Sequence, residues 1–244
     1  MKKYCLASFL LLYSIMLISQ DRKVSLGVSG GTTFSGIKVE NYLFGHYSFS
    51  VGFAGELSCK VNFNSHFFIM IDLGILQRGY SYYYETPIIT INGQMENSYQ
   101  GLEWKIDHYY LNNDWLIGYQ FGNKITLSIC GGVFNSYYLS SRVSERDYLY
   151  IDPVDHDILG DPALPIGYSE NENITKGRNQ DVSDWDLGIV GSISLGYKIS
   201  DKYSIQISAK YHHGLHDISD MKLWEEVSIY NRSIVTSVGI NVRI

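Results

Sequence analysis

The feature that most constrains this chain is a period of two. From Val24 onward, stretches in which alternate residues are apolar follow one another, separated by connections that are in turn very short and long. Strands are predicted at about Val24 to Phe34, Tyr47 to Val61, Phe67 to Tyr80, His108 to Phe121, Lys124 to Leu139, Trp185 to Lys198, Tyr203 to His213 and Ser233 to Ile244. An even number of strands lets a sheet close with both ends on one side. The expected fold is therefore all-β: an eight-stranded antiparallel up-and-down transmembrane β-barrel with four long extracellular loops and short periplasmic turns.

The connections support this. Short turns are expected at Asn62 to His66, Gly122-Asn123 and Ile199 to Lys202, each with the Asn, Asp, Gly or Ser that tight turns favour. Long loops are expected at Gly36 to His46, Ser81 to Asp107, Ser140 to Asp184 and Gly214 to Arg232. All four prolines, Pro87, Pro153, Pro162 and Pro165, fall in those loops, so none is expected to delete a ladder hydrogen bond.

The two faces of the strands differ in chemistry. In the second strand Phe49, Val51, Phe53, Leu57 and Val61 share one face and Ser50, Glu56, Ser58 and Lys60 the other; in the seventh, Tyr203, Ile205, Ile207, Ala209 and Tyr211 oppose Ser204, Gln206, Ser208 and Lys210. A membrane barrel turns the apolar set toward lipid. The alternative, a soluble periplasmic or secreted lipocalin-like barrel, turns it inward around a small apolar ligand. Lipid is favoured because the polar set holds charges of both signs, Glu56, Lys60, Asp72, Arg78, Asp114, Asp186, Lys210 and Arg243, which can pair across a narrow lumen. Aromatic residues near strand ends, Tyr80, Tyr82, Tyr83, Tyr84, Tyr109, Tyr137, Tyr138, Trp185, Tyr197 and Tyr203, also suit a girdle at the headgroups.

Lys2 and Lys3 precede an apolar run from Leu6 to Ile18, too short to span a membrane as a helix and suited to a secretory signal peptide. Residues 1–20 are expected to be that signal and residues 21–244 the barrel domain. A net charge of -6 argues against nucleic acid as a partner. Cys59 and Cys130 fall on opposite faces of their predicted strands, so no disulfide between them is expected.

Taken in order, several strand texts resemble the PorT-like family of outer membrane β-barrel proteins of the Bacteroidetes. The resemblance rests on Leu26-Gly27-Val28-Ser29-Gly30-Gly31-Thr32-Thr33-Phe34, Ile71-Asp72-Leu73-Gly74-Ile75-Leu76-Gln77-Arg78-Gly79, Tyr110-Leu111, Asp186-Leu187-Gly188-Ile189-Val190-Gly191, Tyr211-His212-His213-Gly214-Leu215-His216-Asp217-Ile218, and the strand after Asn231-Arg232-Ser233. It implies an outer membrane location and a plain barrel, and it supplies no catalytic residues. The chain departs from the family at Asn112-Asn113-Asp114, where Glu-Ile-Pro is usual after Tyr-Leu, and at Ile244, where an aromatic residue commonly ends the barrel.

Candidate chemistry is sparse. His212, His213 and His216 form a dense histidine cluster, and imidazoles ligate zinc or copper, but at a strand end they need not share a face. The Ser140 to Asp184 segment is acidic, yet lacks the spacing of a calcium loop. Gly27-Val28-Ser29-Gly30-Gly31 matches a nucleophile-elbow pattern without the strand-to-helix turn that such a Ser requires. Asp72 and Asp114 are best read as balancing Lys60, Arg78 and Lys210 inside the barrel, since an unpaired buried charge is costly. No catalytic residues, no metal ligands and no cofactor are expected, the partners being outer membrane lipid and a protein or surface met by the loops.

Overall fold

The structure, a computed structural model, describes residues 23–40, 46–89, 95–150, 171–177, 182–218 and 228–244. The expected signal peptide, Pro153, Pro162 and Pro165 lie outside the described residues. The strands are β1 (Lys23–Glu40), β2 (His46–Asn62), β3 (Phe67–Ile89), β4 (Met95–Phe121), β5 (Ile125–Tyr150), β6 (Asn171–Gly177), β7 (Trp185–Lys198), β8 (Tyr203–Gly214) and β9 (Ser228–Arg243). Every pairing is antiparallel. Eight of these strands close a ring in which β1 pairs with β2 and β9, β4 with β5, and β5 with β7, while β6 adds to the end of β5.

Local chemistry sets the three tight turns. The Asn64 side-chain oxygen accepts from the backbone N–H of His66 (2.8 Å) and Phe67 (2.7 Å), and the Ser200 hydroxyl accepts from Lys202 (3.3 Å) and Tyr203 (3.2 Å). Both are side-chain-built turns. Gly122 takes φ +84°, a conformation that favours glycine. The β1–β9 seam needs a glycine for a different reason: a Cβ on Gly31 would lie 1.8 Å from the carbonyl oxygen of Thr236.

The outer wall carries the apolar residues. Val28, Phe53, Leu57, Ile117, Ile189, Ile193, Leu195, Ile207 and Val238 are all exposed on it, while Ser50, Glu56, Asp72, Asp114, Asp186, Ser192, Ser208, Lys210 and Ser237 are buried inside. Val61 keeps the outward parity of Leu57, pairing with Val24 and Ile69, although its neighbours bury it there. Cys59 is half-buried, Cys130 is buried and both are free. A lipocalin-like arrangement would need the reverse distribution. No helix of the described residues is long and apolar enough to cross a membrane, which says nothing of a crossing by strands.

Several expectations need correction. The strands run well beyond the expected boundaries on the long-connection side. Most of Ser81 to Asp107 is a continuation of the β3–β4 hairpin, paired as far as Ile89 with Met95. Ser140 to Tyr150 belongs to β5, where β6 pairs with it at Ser141 to Asp147. The alternation signal fades there because both faces can meet water once a strand rises past lipid, yet the backbone ladder continues. Pro87 accordingly sits within β3, opposite Tyr99 and beside a register irregularity. At that height the described part of β2 has ended, its last pair being His46 with Tyr83, so among the described residues β3 pairs only with β4, and proline is tolerated on such an edge.

The aromatic girdle is also smaller than expected. Trp185, Tyr197 and Tyr203 are exposed on the wall, but Tyr82 and Tyr138 are buried and Tyr80 lies against the buried His108 ring at 6.2 Å. These three tyrosines fill the upper lumen instead.

Candidate functional site

The lumen is closed by a charged cluster drawn from five strands, β2, β3, β4, β7 and β8. Lys210 of β8 donates from Nζ to Glu56 of β2 (2.9 Å to each oxygen), Asp72 of β3 (2.6 Å) and Asp114 of β4 (3.1 Å). Three carboxylates thus converge on one ammonium, and none of these side chains is more than 4% exposed. Alternation puts them there: each occupies an inward step of a strand whose neighbours face lipid. His212, one inward step above Lys210, places Nε2 3.1 Å from Asp114 Oδ1.

A second layer is centred on Arg78. Its Nη1 donates to Asp186 (2.9 Å) and Ser136 (3.2 Å), and its Nη2 to the Asn112 side-chain oxygen (3.3 Å). Asn112 in turn donates to Asp114 (2.6 Å), which joins the two layers. Asn231 donates to Asp186 (3.0 Å) and Tyr110 (3.3 Å). The guanidinium also lies over the rings of Phe134 (4.9 Å) and Tyr110 (5.6 Å), an arrangement suited to Arg in a desolvated site. With Tyr110, Tyr138 and Phe134 buried around it, the barrel cross-section is filled by side chains at this height.

Asp72 and Asp114 do balance Lys210, as expected, and Arg78 takes Asp186. Lys60 does not take part. It donates to Gln120 (2.7 Å) and sits 3.7 Å above the Phe68 ring. Asn112, read in the sequence only as a departure from a family pattern, is the link between the layers; its inward parity with Asp114 was the signal. His212, His213 and His216 are separated: His212 is buried in the lumen, His213 is on the opposite face of β8, and His216 is exposed beyond the strand. Ser29 lies in mid-β1, paired with Glu56 and Gly239, with no strand-to-helix turn. Side chains of the acidic 147–150 and 171–176 segments, with all of 151–170, lie outside what is described.

Beneath Lys210 a cavity of about 20 Å³ is lined by Ser29, Glu56, Ser58, Asp72, Ser208 and Asn241, among others. Its polar wall and size suit one or two waters, each needing roughly 10–15 Å³. An apolar ligand would find little room there and the wrong lining.

A family model for the outer membrane protein beta-barrel domain matches residues 18–220. No curated protein matches the sequence. Among solved structures, neisserial surface protein A (NspA) is 10% identical, with 90% of this chain covering 97% of that one at a TM-score of 0.37. Ail, the attachment invasion locus protein of Yersinia pestis, is 10% identical over 90% of this chain and 98% of its own, at 0.35. The outer membrane protease OmpT of Escherichia coli is 10% identical over 92% of this chain and 97% of its own, at 0.39.

Proposed function

Because the chain belongs to the family of proteins with an outer membrane β-barrel domain and resides in that membrane, we propose that it is a small non-enzymatic barrel acting through its extracellular part, in surface interaction or as an accessory to envelope assembly. The observation that carries this reading is the filled lumen. Glu56, Asp72, Arg78, Asp114, Asp186 and Lys210 are each at most 5% exposed, so the barrel is a scaffold and solutes do not pass through it. What the scaffold holds up is large: β3, β4 and β5 continue far above the lipid-facing band, and function on a rigid frame collects in such projections.

In this reading the short turns are periplasmic and the long connections extracellular, residues 1–20 are a cleaved signal peptide, and the PorT-like barrels of the Bacteroidetes are the nearer relatives. Ser29 within a continuous strand supports the non-enzymatic assignment.

Protease shaving of intact cells tests the proposal. Cleavage within the long connections, above all the two longest, with the short turns protected, is the expected result; protection of the two longest in an otherwise accessible protein would reverse the orientation. Purified protein in liposomes is expected to leave them impermeable to small sugars, and swelling would show an open lumen.

A further inference from the structure

Three neighbouring strands cease to be apolar on their outer face at the same step. The outward residues run Leu26, Val28, Gly30, Thr32, Phe34 on β1, Tyr203, Ile205, Ile207, Ala209, Tyr211 on β8, and Val242, Ile240, Val238, Thr236, Ile234 on β9. Each run covers nine residues. At about 3.3 Å per residue and a tilt of about 40° it rises roughly 23 Å, close to the ~25 Å height of a lipid-facing band. The next outward positions are Gly36 and then Lys38 on β1, His213 on β8 and Arg232 on β9. Their inward neighbours confirm the facing: Ser35 donates to the Gly79 carbonyl, His212 meets Asp114, and Asn231 donates to Asp186.

Register gathers these residues into one patch. Arg232 pairs with His213 on one side and with Gly36 on the other, and Lys38 pairs with Tyr230. Directly opposed residues have Cβ atoms about 4.5–5.5 Å apart and diagonal ones about 7–8 Å, so one phosphate can be reached by all three basic side chains. Between Arg232 and Lys38 the buried Gly36 is covered by the ring of Phe49, whose nearest carbon would lie 2.9 Å from a Cβ there, so an aromatic ring borders the patch on its β2 side. Tyr211 stacks on His213 with ring centroids 6.2 Å apart, an aromatic neighbour of the kind found at headgroup level. The Arg232 Nε has no hydrogen-bond partner among the described residues.

We propose that Lys38, His213 and Arg232 form a binding site on the outer wall of the barrel for the phosphate of an outer-leaflet lipid. A basic patch at this height on a chain of net charge -6 is matched to an anionic headgroup rather than to lipid tails or to solvent. Arg supplies a planar fork for phosphate oxygens, and Lys and His supply point donors. The site goes beyond the role of the projecting strands. Only its assignment to the outer leaflet rests on the orientation given above.

The test is native mass spectrometry of the protein purified from outer membranes in detergent, titrated with bisphosphorylated lipid A, with its dephosphorylated form, and with inorganic phosphate. The expected result is one retained lipid A per barrel. Binding should be at least about tenfold weaker in K38Q/H213Q/R232Q and in R232Q alone, with both variants keeping a heat-dependent gel mobility shift. Dephosphorylated lipid should bind wild type no better than the triple variant binds lipid A. Equal retention by wild type and folded variants overturns the site, and binding of inorganic phosphate without lipid A overturns the lipid as its source. Micelles have no sides, so a reversed orientation in the shaving experiment would leave this titration unchanged.

Discussion

Replacing Lys210 with Met removes the ammonium and keeps most of the side-chain volume. Glu56, Asp72 and Asp114 then lose a donor at 2.9, 2.6 and 3.1 Å respectively. Each charged hydrogen bond is worth about 1.5–3 kcal/mol, but the three are not additive, because the carboxylates also repel one another and Asp114 keeps Asn112 and His212. Breaking a buried ion pair by removing one partner costs about 3–5 kcal/mol, and we expect a loss of that size. With a denaturant slope of roughly 2 kcal/mol/M, the urea midpoint of the barrel refolded into vesicles should fall by about 2 M, followed by tryptophan fluorescence and by heat-dependent gel mobility. The decisive comparison is K210M/E56Q/D72N, which removes the stranded charges along with the ammonium and should regain at least about half of the loss. A K210M midpoint within about 0.3 M of wild type, or a triple variant no more stable than K210M, would refute the view that this cluster is held by charge compensation.

Ile207 lies at the middle of the apolar run of β8 and is 58% exposed on the outer wall, so Ile207→Lys should cost about 2–4 kcal/mol in a bilayer; an unchanged unfolding midpoint in vesicles would mean that this wall does not face lipid. Gly31→Leu should prevent closure of the β1–β9 seam, since its Cβ would meet the Thr236 carbonyl at 1.8 Å. Loss of the heat-dependent mobility shift checks this. Oxidant treatment of the folded barrel should leave both Cys59 and Cys130 free to react with maleimide after denaturation, because one is on the outer wall and the other in the lumen; a disulfide between them would contradict the facing of β2 or β5.

The sequence by itself determined the eight strands of the ring, the tight turns and nearly all of the facing wherever lipid and lumen impose opposite demands on alternate residues. Trp185–Lys198 was found to the residue, and the inward parity of Glu56, Asp72, Asp114, Asp186 and Lys210 was readable because a charge cannot face lipid unpaired. Only the tertiary structure decided the rest. Above the band both faces of a strand can be polar, so the continuation of β3, β4 and β5 and the pairing of β6 left no period-two trace. Inside the lumen, partner choice depends on closure and register: Lys210 meets Glu56, Asp72 and Asp114 across 154, 138 and 96 residues of chain. The same closure turned Tyr80, Tyr82 and Tyr138 inward and brought His213 beside Arg232, because where two strands meet is a property of the closed sheet and not of either strand.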